Sequence, residues 1–325
     1  MMWMAWRQHR KQVLFAAVGL VVLAAVLIPT GLAMRADFTG SGLAACLGGL
    51  GSAEFLRPGT DCTALSREFT GQYDLMAMFG TLLVFLPLLV GLFWGAPLVA
   101  RELEQGTYRL VWTQGVSRLR WALVKTAFVV VVTVAVSTCY ALLLSWWLTP
   151  LNDAGRVRLA ELSFDVQGVV PVAYTLFAVA LGILAGTIWR RVTPAMAAAV
   201  VGFLTVRFVV LSQLRGHLLP VSERIYPVVG GKRPNPALGD WTFASGIKNA
   251  QGEVLVTGQQ AQCSAAVSGD PSGPCAAFGK GAYNFQLYQP GSNFWPLQLI
   301  EAGLFTLLAV VLIYVAIRQI RYRIA

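Results

Sequence analysis

Residues 121–148 read WALVKTAFVVVVTVAVSTCYALLLSWWL, and this stretch decides what kind of fold the chain can have. It carries a single charge, Lys125, close to its start. A run of about 20 apolar residues wound as an α-helix rises roughly 1.5 Å per residue and so crosses the ~30 Å hydrocarbon core of a bilayer. A backbone inside lipid must satisfy its own hydrogen bonds, which a helix does within the segment.

Five more such runs flank it: 13–34 and 73–100 upstream, 166–189, 192–214 and 295–317 downstream. The 325-residue chain is 56% hydrophobic and 12% charged, and its mean hydropathy is +0.63. No soluble domain carries that balance comfortably. The expected fold is an all-α polytopic membrane protein with six transmembrane helices in one domain, 1–325. The first run follows Arg7, Arg10 and Lys11 as a signal peptide would, but it is longer than a signal core and has no convincing small-x-small site, which favours a retained span.

Basic residues set the expected orientation. With a cytoplasmic N-terminus, the inner segments are 1–12, 101–125, 190–191 and 318–325, and the C-terminus is cytoplasmic too. They hold thirteen of the 25 Lys and Arg but only two of the 15 acids, Glu102 and Glu104. The whole +10 excess therefore falls on one side, the positive-inside pattern of a multi-pass protein in the cell membrane. Charges spread over short juxtamembrane segments also argue against a nucleic-acid partner, which needs one basic face. Membrane lipids are the expected contact.

Segments 35–72, 149–165 and 215–294 are then extracytoplasmic, where disulfides persist. Four cysteines, Cys46, Cys62, Cys263 and Cys275, lie there. Pairing within each segment, Cys46 with Cys62 and Cys263 with Cys275, is the economical arrangement among three possible connectivities. Cys139 in the third run is expected to be a small buried apolar residue, and no spacing suggests a metal site.

The start, MMWMAWRQHRKQ, sets Trp3 and Trp6 beside Arg7, Arg10 and Lys11. It reads either as a basic anchor or as an amphipathic elbow at 2–12 lying in the interface. Pro87, Pro97, Gly91 and Gly95 in the second run, and Pro171, Gly182 and Gly186 in the fourth, read as helix packing: small residues four apart let helices approach. Residues 190–194 allow only a tight turn, with Pro194 suited to a first helical turn. The 215–294 insertion between the fifth and sixth runs is dense in Gly and Pro and too long for a plain loop, so a cap of short helices or hairpins is expected. No internal repeat is present, which weakens an inverted-repeat transporter reading.

Charges inside spans are costly and usually paired or functional. Arg207 lies roughly 21 Å up the fifth run, about 9 Å from its outer boundary, and Glu301 lies about 9 Å into the sixth from the same side. They are expected either to share a polar cavity as a pair or each to snorkel outward. No catalytic constellation is present: there are two histidines, His9 and His217, no H-E-x-x-H, no G-x-S-x-G and no G-x-x-x-x-G-K-[ST] phosphate loop. Any ATP and Mg must be held by another chain.

Between the second and third runs stands VARELEQGTYRLVWTQGVSR, residues 99–118. Thr107 can cap a following turn, Gly115 can end it, and Ser117 can cap the next helix. The two turns between project Arg109 and set Leu110, Val111 and Trp112 against membrane or partner, with Glu102 and Glu104 placed for a helix N-terminus or a partner's arginines. As a bare turn it is overbuilt.

GLFWGAPLVARELEQGTYRLVWTQGVSRLRWALVK resembles the second span, cytoplasmic loop and third-span start of permease subunits of type-2 ABC transporters, whose loop pattern is E-x-E-x-G-T followed by a short helix, a small turn, Arg and a later Lys. The matching positions are Glu102, Glu104, Gly106, Thr107, Ser117, Arg118 and Lys125. WRQHR and YQPGSNFWPLQLIEAGLF look like the ends of such permeases common in high-GC Gram-positive bacteria. The resemblance implies an exporter's permease that dimerises with a second copy or homologue and binds two cytoplasmic ATPase subunits. It further implies coupling at 101–118, through Glu102, Glu104, Gly106, Thr107, Arg109 and Arg118, and a smaller contact at 190–194. Such permeases generally carry a compact hairpin where this chain has its 215–294 insertion. Two rival readings stand beside it: an ion-coupled secondary transporter, for which Glu301 is the serious candidate acid, and a membrane sensor with an extracytoplasmic cap.

Overall fold

The computed structural model of the chain describes residues 2–56, 61–107, 117–263, 278 and 281–322. Among them are six helical segments long and apolar enough to cross a membrane, taken here as the first to sixth spans: Trp6–Gly40, Asp74–Gln105, Arg118–Asp153, Val170–Trp189, Val192–His217 and Gly291–Tyr322. Each contains most or all of one apolar run of the sequence.

The first span belongs to an unbroken helix, Met2–Gly40. Residues 2–12 are its continuation rather than a separate elbow, because that stretch holds no Gly, Pro or capping Ser, Thr, Asn or Asp to break it. The third span starts where expected: Ser117 Oγ accepts a hydrogen bond from the Arg120 amide at 3.3 Å.

The second span is a composite. Pro87 has no amide to offer Leu83, and the chain there tightens into a 3-10 turn, Leu83–Phe85, whose Leu83 carbonyl takes the Leu86 amide instead. A π-turn, Gly91–Gly95, follows. It sits against the fourth span, the centre of the bundle, where 67% of the most apolar window is buried against 6% for the first span. A Cβ at Gly91 would lie 2.5 Å from Ala178 Cβ, one at Gly95 2.5 Å from the Val179 carbonyl oxygen, and one at Gly182 2.6 Å from the Ala96 amide nitrogen. With Gly186, whose Cβ would lie 2.8 Å from the Ala96 carbonyl oxygen, these glycines bring two backbones together, as their spacing indicated.

The all-α expectation is corrected in the insertion. Four antiparallel strands, β1 (Ser222–Pro227), β2 (Trp241–Lys248), β3 (Val254–Thr257) and β4 (Tyr283–Gln289), form a sheet in the order β1-β4-β2-β3. Alternation drives it: in SERIYP, Arg224 and Tyr226 are buried while Glu223 and Ile225 face out. Short helices Leu43–Leu50 and Thr63–Gln72 lie between the first two spans. Between them Phe55 bridges Pro234, and Asn235 Nδ2 donates to the Gly51 and Ala53 carbonyls at 3.2 and 2.9 Å, tying this segment to the insertion.

Cys46 and Cys62 form a disulfide with Cα atoms 6.0 Å apart. The pairing expected of Cys263 involves Cys275, which lies outside the described residues. Cys139 is exposed on the third span, not buried, because its neighbours Ser137 and Tyr140 occupy the inward face.

Candidate functional site

Two polar constellations stand out in the apolar bundle. The first is where the second span ends. Gly106 takes the left-handed conformation (φ 70°) that closes helix Ala96–Gln105. One turn back, Glu102 pairs with Lys125 of the third span, both side chains largely buried. Gln8 Nε2 donates to the same Glu102 Oε1 at 3.4 Å, and Gln12 Nε2 donates to the Phe93 carbonyl at 3.3 Å. The N-terminal helix, second span and third span are therefore linked through one carboxylate.

Glu104 reaches in another direction. Its Oε2 accepts the Val192 amide at 3.1 Å, at the start of helix Val192–Val209. A helix N-terminus carries unsatisfied amides and a positive partial charge, which a carboxylate offsets. The preceding turn is as tight as its length required, with Arg190 itself left-handed (φ 53°). Both acids of the E-x-E motif thus make contacts inside the chain, which spacing alone did not reveal. Thr107 and Arg118 flank residues 108–116, which hold Arg109 and the expected two-turn helix and lie outside the described residues.

The second constellation is buried where the fourth, fifth and sixth spans meet. Arg207 and Glu301 both belong to it but do not pair directly. Arg207 pairs with Asp165, while Arg215 donates from Nε to Glu301 Oε2 at 3.0 Å, and from Nη2 to Glu301 Oε1 at 2.9 Å and Asp165 Oδ1 at 2.5 Å. Tyr174 OH sits among them, 3.1 Å from Asp165 Oδ1 and bonded to Glu301 Oε1. Aromatic faces close the cluster: the Arg215 guanidinium is 4.4 Å from the Phe164 ring centroid and that of Arg207 4.4 Å from Tyr174.

Two guanidinium groups thus meet two carboxylates, and Arg215 and Glu301 are 1% and 0% exposed. Such burial persists only with every charge matched. A relay stands in place of the direct pair: Arg215 and Tyr174 take both Glu301 oxygens, and Asp165 links Arg215 to Arg207. Beside them Gln298 caps the fourth span: its Oε1 accepts the Val169 and Val170 amides, each at 3.0 Å, and its Nε2 donates to the Phe164 carbonyl at 3.0 Å. Asp165, Tyr174, Arg215 and Gln298 were not singled out from sequence. Asp165 and Arg215 each stand one residue beyond an apolar run, which was the available signal.

Six apolar spans, a matched charge cluster buried among them and two acids bracing the end of the second span define a multi-pass membrane protein. The family model described as "ABC-2 membrane transporter related" matches residues 17–215, more than half of the chain, and the chain belongs to this family. It is an ABC-2 type permease of the cell membrane, a transport component rather than a catalytic one. No curated protein matches the chain, and no solved structure does.

Proposed function

We propose that the chain is the membrane-spanning subunit of an ATP-driven exporter. It works as a permease dimer, and two separate cytoplasmic ATPase subunits bind ATP and Mg. Both termini are cytoplasmic, the sheet is extracytoplasmic, and 101–118 is the coupling segment. The observation that carries this reading is the bracing of that segment inside the region the family model covers: Glu102 ties it to the third span and Glu104 to the fifth. A push from a closing ATPase pair would reach three spans at once, and a two-state partner shifts a permease only through contacts that differ between its states.

The ion-coupled reading draws no support from Glu301, whose two oxygens already accept hydrogen bonds from Arg215 and Tyr174. The test is co-purification with the ATPase encoded next to this gene, in lipid, with ATP hydrolysis and transport measured for Glu102→Ala and Glu104→Ala. Weakened assembly, or hydrolysis that no longer drives transport, is expected. Unchanged assembly, hydrolysis and transport would remove the coupling assignment.

A further inference from the structure

A cavity of about 570 Å³ lies against the β1–β4 face of the sheet, flanked on its other side by Leu56, Pro234 and Asn235. Its volume is within the roughly 300–1,000 Å³ of small-molecule sites. Its sheet side carries polar side chains. Arg224, Tyr226 and Gln286 are 5%, 7% and 8% exposed, and Arg224 stands opposite Gln286 in the β1–β4 register.

These groups hold one another in place. Arg224 donates to Glu54 Oε1 and Asp240 Oδ2, each at 2.7 Å, and to Gln286 Oε1 at 3.3 Å. Burial pushes its guanidinium toward losing the proton, but the hydrogen bonds to Asp240 and Glu54 outweigh this and leave its pKa raised. Tyr226 OH donates to Gln260 Oε1 at 2.9 Å. Asn284 of β4 fixes the non-strand segment after β3 by bonding both the amide and the carbonyl of Ala261, at 3.0 and 2.8 Å.

What remains is a set of directed, uncommitted groups. The amide N–H groups of Gln286 and Gln260 and the Thr242 hydroxyl have no partner among the described residues, and all three side chains line the cavity, Gln286 at its buried floor and the exposed Gln260 and Thr242 at its open rim. Gln286 is more than nine-tenths buried as a residue, and its Nε2 opens into the cavity rather than being sealed off from it. The charges nearby do not favour an anion. Arg224 is engaged by two carboxylates, and Arg233 lies 3.2 Å from Asp61, so two guanidinium groups face three acids.

We propose that this cavity binds a neutral, hydroxyl-rich ligand of one or two rings, that is, a saccharide, either free or as the headgroup of a glycolipid. A hydroxyl both donates and accepts. It can take the Gln286 and Gln260 N–H groups and give its own proton to the Asp240 carboxylate, while Leu56, Tyr226 and Pro234 offer apolar surface to ring C–H faces. A peptide would extend a strand edge or seat apolar side chains in pockets, whereas the groups lining this cavity project from the face of the sheet, Arg224 and Tyr226 from the edge strand β1 and Gln286 from β4 beside it.

The test uses the full chain in polymer-bounded lipid discs made without glycosidic detergent. Calorimetry and saturation-transfer NMR are run with glucose, galactose, maltose, glucuronate, inorganic phosphate and glycylglycine, and in a parallel arm with a glucosyl lipid added to the disc. Saturable binding of a neutral sugar or of the glucosyl lipid is expected, the second alone assigning the headgroup form. Gln286→Leu should weaken it about tenfold, and Gln251→Leu, on the exposed β2–β3 turn, should leave it unchanged. Should Gln286→Leu lower the unfolding midpoint, Gln260→Ala, at an exposed position, gives the second reading, with a loss of several-fold. No saturable binding of any neutral sugar or glucosyl lipid, preference for glucuronate, phosphate or the dipeptide, or indifference to both variants would each overturn the proposal.

Discussion

Arg215 ties together both carboxylates of the buried charge cluster and stacks on Phe164. Removing one partner of a buried ion pair leaves the others uncompensated, typically at about 3–5 kcal/mol. Arg215→Met should therefore lower the apparent thermal midpoint sharply, and adding Glu301→Gln to it, which leaves Arg207 matched by Asp165, should recover much of the loss. A single variant as stable as the parent would show that the cluster is not a matched set. Depth along the helices was enough to bring Arg207 and Glu301 to one layer. Their partners escaped because Asp165 and Arg215 stand just past the ends of apolar runs, where a charge looks like an ordinary boundary residue. The Glu102–Lys125 contact was hidden differently, since the motif marks both residues and says nothing of their pairing. A double-mutant cycle with Glu102→Gln and Lys125→Met should give a coupling of about 1–3 kcal/mol; additivity within about 0.5 kcal/mol would argue against a buried pair.

Among the elements, the second and fourth spans approach backbone to backbone. A Cβ at Gly182 would meet the Ala96 amide nitrogen at 2.6 Å, the Gly91 carbonyl oxygen at 2.8 Å and the Gly95 carbonyl carbon at 2.9 Å, all backbone atoms that cannot rotate away. Overpacking of this kind costs about 1–3 kcal/mol, so Gly182→Ala should destabilise by that amount. Gly19→Ala, in the first span with nothing within 4 Å, should be neutral or stabilising by about 0.5–1 kcal/mol. Equal effects in the two unfolding curves would mean the close approach is absent. The small-residue spacing announced this contact, whereas the π-turn that aims Gly91 and Gly95 at the fourth span had no signal beyond those glycines. The sheet was harder still. Its strands are short, Gly246 interrupts β2, and β1 reaches its partner β4 only across more than fifty residues, so local pattern could suggest hairpins but not the order β1-β4-β2-β3.

At the scale of the whole molecule, two independent features speak to orientation. Thirteen Lys and Arg against two acids fall at one end of the spans as read from the sequence. The Cys46–Cys62 disulfide belongs to the other end, where the segment carrying it is bridged to the sheet at Phe55 and Pro234. Charge retention acts during insertion and disulfide persistence afterwards in an oxidising compartment, so neither implies the other. Their agreement predicts the labelling pattern of single cysteines placed in a Cys139→Ala background, Cys139 being the free thiol among the described residues. A membrane-impermeant maleimide should label Gln251→Cys in intact cells and Arg10→Cys only after permeabilisation. Reducing agent applied to intact cells should then open Cys46–Cys62 to the same reagent. The reverse pattern would put the sheet and its cavity in the cytoplasm and the 101–118 segment out of an ATPase's reach. It would overturn the exporter reading at once, while leaving the saccharide site, measured on purified protein, to stand or fall on its own binding data.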